Sequence, residues 1–278
     1  MSDAAPAPLM SPEALASRLG DPRLFVLDLR PESAFEAGHV PGSVRSGYAE
    51  GWRVAADGAL GLLPPPEALG HLLRSIGLEP EHHVVVVSAG DDASDLAGAA
   101  RVYWTLKTAG HRSLSILDGG YRAWTGDPAR PVATGAEQAR PPSRYPVAID
   151  ETWRSSLAAV EAALRGHGAT FVDARSDAHY TGREKAASVR AAGHIPGAVS
   201  RDYEGAVEPG SARLLPRARL EERFAGIGEG PVITYCNTGH TAALNWFVLS
   251  EILGRPGISL FDGSMSQWTA NPARPVET

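Results

Sequence analysis

The chain has 278 residues, 43% of them hydrophobic and 21% charged, which is an ordinary composition for a globular protein long enough to form two domains. A formal net charge of -6 argues against a surface for nucleic acid or anionic membrane. A single cysteine excludes an intrachain disulfide, and residues 1–8 have neither the basic region nor the apolar core of a signal peptide, so a cytoplasmic location is expected. No run approaches the ~20 apolar residues of a membrane span.

The first half of the chain alternates between helical and strand-like segments. Ser11 and Pro12 predict a helix start, because serine caps a helix and proline suits its first position. Further on, apolar runs and turn residues predict strands over 24–27, 83–87 and 113–117 and helices over 66–76 and 95–109. Strands that alternate with helices indicate a parallel sheet covered on both faces.

Near the other end of the chain, the sequence predicts a strand, a tight loop and a helix. The run 232–235 is apolar and β-branched, and residues 242–253 suit a buried helix closed by Gly254. The loop between them consists of Cys236, Asn237, Thr238, Gly239, His240 and Thr241. A loop in this position gathers backbone N–H groups at a helix N-terminus, where the helix dipole favours an anion.

This cysteine loop, residues 236–241, is the candidate anion site. A thiol at Cys236 is expected to ionise readily there and to act as a nucleophile. Gly239 is expected to turn the backbone with positive φ, and His240 is the one side chain of the loop that can carry positive charge. The alternative is that Cys236 is a small buried hydrophobic residue. A polar, glycine-containing turn directly before a helix favours the reactive cysteine.

The sequence also repeats itself with a domain-sized period. Asp118–Val132 returns as Asp262–Val276, 144 positions later, and two shorter motifs, 28–30 and 38–42, return as 173–175 and 193–197. Ordered matches with small changes of offset predict a duplicated domain. The proline-rich stretch 128–149 suits an extended linker, so the expected domains are 1–127 and 150–278.

Taken together, these motifs resemble a known family over nearly the whole chain. Two copies of Asp-x-Arg, Gly-His-[Val/Ile]-Pro-Gly and Asp-Gly-[Gly/Ser]-x-x-x-Trp, with one cysteine loop in the second copy, resemble the tandem-domain rhodanese sulfurtransferases. That group includes thiosulfate and 3-mercaptopyruvate sulfurtransferases. The resemblance implies an α/β fold of two rhodanese-like domains, each a small, mainly parallel sheet with helices on both faces. It also implies a non-catalytic first domain, a catalytic second one and an active site in the cleft between them.

The sequence supports this asymmetry between the copies. When the strands 83–87 and 230–235 are matched, the position of Cys236 falls at Ser88. The loop from Ser88 to the helix segment at Ala100 is expected to be about six residues longer than its counterpart. The first copy is therefore expected to lack both the nucleophile and the tight loop.

The resemblance implies sulfur transfer through Cys236. Its thiolate takes the sulfane sulfur of a small anionic donor, becomes a persulfide and passes the sulfur to a thiol or to cyanide, with ping-pong kinetics. No metal or organic cofactor and no nucleic-acid or membrane partner is expected. The loop Cys-Asn-Thr-Gly-His-Thr matches neither the Cys-Arg-Lys-Gly-Val-Thr of thiosulfate enzymes nor the Cys-Gly-Ser-Gly-Val-Thr of mercaptopyruvate enzymes. Thiosulfate is the favoured donor, and 3-mercaptopyruvate stays open.

Other side chains are candidates for donor binding and proton transfer. The cations and the histidine proposed to bind the donor are Arg53, His179, Arg183, Lys185 and Arg190. A proton relay described for mercaptopyruvate enzymes would map onto Asp28, His39 and Thr238. The same aspartate and histidine recur as Asp173 and His194, so satisfaction of buried backbone groups is the simpler role for both pairs.

Two functions from other classes remain as alternatives. A cysteine-dependent phosphatase shares the strand, loop and helix, but it needs an arginine six positions after the cysteine to bind phosphate, and this chain has Ala242 there. A non-catalytic persulfide carrier or interaction module would instead have Cys236 loaded and unloaded by protein partners. Rates with small donors would distinguish the carrier from the enzyme.

Overall fold

A computed structural model describes residues 6–136, 140–166 and 168–278. The chain forms two compact units, and each unit contains a segment from the other half of the sequence. The first unit comprises the described residues up to Trp52, Pro64–Ile149 and Pro209–Leu214, and the second comprises Arg53–Leu63, Asp150–Glu208 and Leu215–Thr278. The predicted linker 128–149 includes residues 137–139, which lie outside the described part.

The strands and helices are named in chain order. The strands are β1 (Leu9–Met10), β2 (Leu24–Asp28), β3 (Val44–Arg45), β4 (Val54–Ala56), β5 (Ala59–Leu62), β6 (His83–Val87), β7 (Leu114–Leu117), β8 (Thr170–Asp173), β9 (Val199–Ser200), β10 (Val232–Tyr235) and β11 (Ile258–Leu260). The helices are α1 (Pro12–Ala16), α2 (Glu32–Ala37), α3 (Pro66–Ser75), α4 (Ala93–Thr108), α5 (Gly120–Thr125), α6 (Leu157–Gly166), α7 (Asp177–Tyr180), α8 (Arg217–Arg223), α9 (Thr241–Phe247) and α10 (Ser264–Trp268). Short 3₁₀ turns span Glu151–Trp153 and Tyr203–Ala206.

Each unit is built on a parallel sheet, as the sequence predicts. The strand order is β1-β7-β6-β2-β3 in the first unit and β11-β10-β8-β9 in the second. Every residue of β2 and β6 is buried, which is why both strands are almost continuously apolar. Trp124 lies in the core of the first unit and Trp268 in that of the second, in keeping with their matched places in the repeat.

The helix ends follow the capping chemistry of the sequence. Ser11 Oγ accepts the N–H of Ala14 at 3.2 Å, and α1 begins at Pro12 as predicted. The predicted helix 242–253 is present as α9 followed by a π-helical turn over Val248–Ile252, and Gly254 follows with φ +70°. No helix within the described ranges is long and apolar enough to cross a membrane.

One expectation about the first copy is wrong. The side chain of Asp92 accepts the N–H of Asp95 at 3.0 Å, and α4 begins at Ala93, two residues before the predicted helix 95–109, so the loop after Ser88 does not extend to Ala100. α4 therefore starts five residues after Ser88, just as α9 starts five residues after Cys236. The first copy lacks the cysteine but keeps a loop of the same length, because an aspartate cap sets the helix start.

A short antiparallel hairpin lies in the segment Arg53–Leu63, which we call the arm. β4 and β5 pair there, with Ala56 opposite Ala59. The two turn residues, Asp57 and Gly58, have φ values of +53° and +81°, the conformation that favours Asp-Gly in two-residue hairpin turns. Although the arm precedes α3 in sequence, it belongs to the second unit.

Candidate active site

β10 carries Cys236 to the carboxyl edge of the second sheet. This strand pairs in parallel with β8 on one side and β11 on the other, and all four of its residues are buried. Cys236 follows directly and is itself only 2% exposed. The carboxyl ends of parallel strands are the usual location of ligand sites in α/β folds.

The start of α10 holds the first two residues of the cysteine loop. The N–H of Cys236 donates to Ser264 Oγ at 3.0 Å, and the Cys236 carbonyl accepts the N–H of Met265 at 3.0 Å. The carbonyl of Asn237 accepts the N–H of Ser266 at 2.9 Å. The backbone of the nucleophile candidate is thus fixed on both its donor and its acceptor side.

The rest of the loop turns into α9. Gly239 has φ +71°, as the sequence predicts for the inward turn. His240 is half-buried and occupies the N-cap position, and its side chain does not make the usual capping hydrogen bond to this helix start. The backbone N–H groups of the first helical turn and the positive end of the helix dipole favour a negative charge beside Cys236.

Arg175 brings a fixed cation to this loop. Its Nη2 lies 2.6 Å from Asp173 Oδ2 and donates to the carbonyl of Gly193 at 2.8 Å, while its Nη1 donates to Asn237 Oδ1 at 3.5 Å. Burial is the largest single effect and opposes the charge of Arg175, but hydrogen bonding to Asp173 together with charge interactions with Asp173, Tyr235 and Cys236 outweighs it and raises the pKa of the guanidinium. In the sequence, Arg175 stands out only as part of the repeated Asp-x-Arg motif, and its contact with the cysteine loop was not predicted.

The relay candidates have the same geometry in both copies. Asp28 Oδ2 lies 2.6 Å from Arg30 Nη2, and in the second copy Asp173 Oδ2 lies at the same distance from Arg175 Nη2. His39 Nδ1 lies 2.9 Å from the carbonyl of Phe35, and His194 Nδ1 lies 2.8 Å from that of Tyr180. These contacts anchor the fold of each unit, and a part for Asp28 and His39 in proton transfer stays a prediction.

The donor-binding candidates lie mainly in the segment before Gly193. His179 pairs with Ser176, Arg183 forms an ion pair with Asp177, and Lys185 Nζ donates to the carbonyl of Val189 at 2.7 Å. These polar contacts stay within their own segment. The remaining candidates are Arg190, which is exposed, and Arg53, which is half-buried at the start of the arm. A role in binding the donor stays a prediction for all five.

The arm packs directly against the cysteine loop. A Cβ atom built on Gly61 would lie 1.9 Å from the carbonyl oxygen of Thr238, so this contact has room only for glycine. The N–H of Leu60 lies 3.4 Å from Ser266 Oγ, and the N–H of Leu63 donates to Asp262 Oδ2 at 2.7 Å. The arm was not predicted from the sequence, although Asp57-Gly58 is a dipeptide typical of a hairpin turn.

The first unit repeats this arrangement with the segment 209–214. The N–H of Leu214 donates to Asp118 Oδ1 at 3.3 Å, and Asp118 is the repeat counterpart of Asp262. Both segments thus bind the aspartate of an Asp-Gly motif through a leucine N–H. The segment in the first unit contains no hairpin.

Comparison with known proteins agrees with this architecture. The profile of the rhodanese-like domain matches residues 11–127 and 156–271. The chain is 31% identical to the thiosulfate sulfurtransferase of Corynebacterium glutamicum over 98% of this chain and 91% of that protein. It is 32% identical to a probable 3-mercaptopyruvate sulfurtransferase of Pseudomonas aeruginosa over 98% of each chain.

A solved structure has the same fold. The crystal structure of the 3-mercaptopyruvate sulfotransferase of Escherichia coli superposes with a TM-score of 0.81 at 26% identity, covering 93% of this chain and 99% of that one. The predicted resemblance and the predicted α/β fold are confirmed. The chain therefore belongs to the rhodanese-like domain family, carries two of its domains in tandem, and is a sulfurtransferase.

Proposed function

We propose that Cys236 takes a sulfane sulfur from a small anionic donor as a persulfide and passes it to a thiol or to cyanide. The observation that carries this proposal is the position of the chain's one cysteine. Cys236 begins a loop that is fixed by α10 and that leads into the start of α9. This arrangement favours a thiolate and, after transfer, a persulfide anion, since both carry negative charge.

With thiosulfate as donor, the reaction takes two displacements. The Cys236 thiolate attacks the outer sulfur and forms a new S–S bond, while the S–S bond of thiosulfate breaks and sulfite leaves with the bonding electron pair. In the second step, the acceptor, a thiolate or cyanide, attacks the outer sulfur of the persulfide, and the Cys236 thiolate leaves. The enzyme alternates between two stable forms, so ping-pong kinetics are expected.

Thiosulfate is the donor we favour, with 3-mercaptopyruvate as the other candidate. The cysteine loop has no arginine or lysine, but Arg175 donates to the side chain of Asn237 in that loop. A fixed guanidinium and a protonated His240 would both attract a dianion. Relatives named for each donor match this chain almost equally well. A side-by-side measurement of kcat/KM with the two donors decides between them.

The persulfide can be tested by mass. Incubation with thiosulfate should add one sulfur, about 32 Da, and cyanide should remove it. Cys236→Ser should neither gain this mass nor turn over. Ser155→Ala is a matched control, because it removes a buried hydroxyl of the same unit whose hydrogen-bond partner is Ser259 at 2.7 Å. A Cys236→Ser protein with near-native turnover would end the proposal.

A further inference from the structure

Ser264 has a backbone conformation that a serine rarely adopts. Its φ is +50°, and within the described ranges Asp57, in the hairpin turn of the arm, is the other residue with a side chain and positive φ. Ser264 is completely buried at the first residue of α10. Glycine adopts this conformation without strain, whereas a residue with a Cβ does not. The structure thus keeps a strained serine where glycine would be easier to accommodate.

The first copy shows that the turn itself does not need this serine. The repeat counterpart of Ser264 is Gly120, with φ +59°. The same backbone contacts form there, since the N–H of Tyr121 donates to the Ser88 carbonyl at 2.8 Å and the N–H of Arg122 to that of Ala89 at 2.9 Å. Glycine therefore suffices for the fold. Serine occupies this position in the copy that has the cysteine.

The hydroxyl of Ser264 has two partners, which fix its orientation. It donates to the carbonyl of Phe261 at 2.8 Å and accepts the N–H of Cys236 at 3.0 Å. Because its proton is directed to Phe261, an oxygen lone pair is available to the cysteine backbone. The hydroxyl can therefore hold Cys236 in place but is not set to give a proton to the sulfur.

We infer that Ser264 is a positioning residue for sulfur transfer, held in a strained conformation because its hydroxyl fixes the backbone of Cys236. This inference rests on the proposed function of Cys236. Loss of the hydroxyl leaves a buried N–H without its partner and lets the nucleophile move relative to the loop N–H groups that stabilise its charge. The transfer rate should fall more than donor binding does.

Two substitutions separate the hydroxyl from the backbone strain. Ser264→Gly and Ser264→Ala both remove the hydroxyl, but Gly relieves the positive φ and Ala does not. Both variants should lose roughly tenfold in kcat for sulfur transfer to cyanide, with KM for thiosulfate changed less than about twofold. Ser264→Gly should nevertheless melt at a higher temperature than Ser264→Ala. The loss of kcat would then depend on the missing hydroxyl, whereas the melting temperature would depend on whether the residue adopts positive φ without strain.

The pH profile of alkylation by iodoacetamide gives a second readout. Its midpoint should move to higher pH in both Ser264 variants, because a displaced thiolate meets fewer aligned N–H groups. Ser155→Ala should change the melting temperature but not this profile. Wild-type kcat and an unchanged profile in Ser264→Gly would overturn the inference, as would activity that falls in Ala but not in Gly. Turnover by Cys236→Ser would instead refute the proposed nucleophile, so the two failures are distinguishable.

Discussion

Replacing Gly61 by alanine should displace the cysteine loop, because Gly61 of the arm lies directly against the backbone of Thr238. The new methyl carbon would lie 1.9 Å from the carbonyl oxygen of Thr238, whereas Cβ atoms in proteins essentially never approach another atom within 3.0 Å. The two groups must separate by at least about 1.1 Å, and neither belongs to a flexible side chain. The arm is held on both sides of Gly61, by Leu60 and Leu63. The arm therefore cannot take up the whole displacement, and the cysteine loop has to share it.

A misplacement of about 1 Å at a reacting group can cost on the order of 100-fold in rate. We expect kcat/KM of Gly61→Ala for sulfur transfer from thiosulfate to cyanide to fall by about that factor. Steady-state kinetics measure this loss, and circular dichroism with a thermal melt shows whether the fold is kept. Gly230→Ala is the matched control, because its Cβ would meet nothing within 4 Å. Wild-type kcat/KM in a folded Gly61→Ala protein would refute the reasoning.

Three further predictions concern charge, the arm and pH. His240→Val should slow alkylation of Cys236 and weaken thiosulfate binding. Both effects should grow as the pH falls from about 8 to about 6, because the wild-type histidine becomes more protonated over that range. Iodoacetamide pH profiles that overlay those of wild type, together with an unchanged KM for thiosulfate, would count against this prediction. A fragment of residues 150–278 should lose most of its kcat/KM, because it lacks the arm, and full activity would show that the arm contributes nothing. Burial, with the neighbouring Arg18, lowers the pKa of His83 to about 4. The folded state favours the neutral form of His83, so this residue does not reduce the free energy of unfolding above about pH 6.5. As the pH falls towards 4, the free energy of unfolding decreases by on the order of 3 kcal/mol, because the unfolded chain binds the proton more readily. Urea unfolding of wild type and His83→Gln at pH 7 and pH 4.5 should show a smaller loss in the variant.

The features that the sequence predicts depend on local chemistry. Ser11 caps α1, β10 and Gly239 frame the cysteine loop, and Gly254 follows the helix. Hydrophobic periodicity, caps and positive φ are all set by residues close together in the chain, so they can be inferred from single segments.

The features that were missed depend on contacts between distant residues. Asp57-Gly58 marks a hairpin, but nothing in that segment indicates that Gly61 contacts Thr238. Ser264 differs from Gly120 in an otherwise similar motif, and this difference signals a special backbone position only once φ is known. The length of the loop after Ser88 was predicted wrongly for a simpler reason, because the loop was measured to Ala100 although Asp92 caps the helix and α4 begins at Ala93.

The arm and the segment 209–214 also bear on how this duplicated gene can change. Leu63 lies three residues before α3 and Leu214 three residues before α8, so the two segments hold equivalent places in the repeat. Each is a structural part of the unit formed mainly by the other half of the chain. If the gene recombined with that of a relative at the linker, each unit would therefore contain one segment that comes from the other parent protein. In an alignment, residues 60–63 should covary with positions 238 and 262 rather than with their neighbours in the first half of the gene.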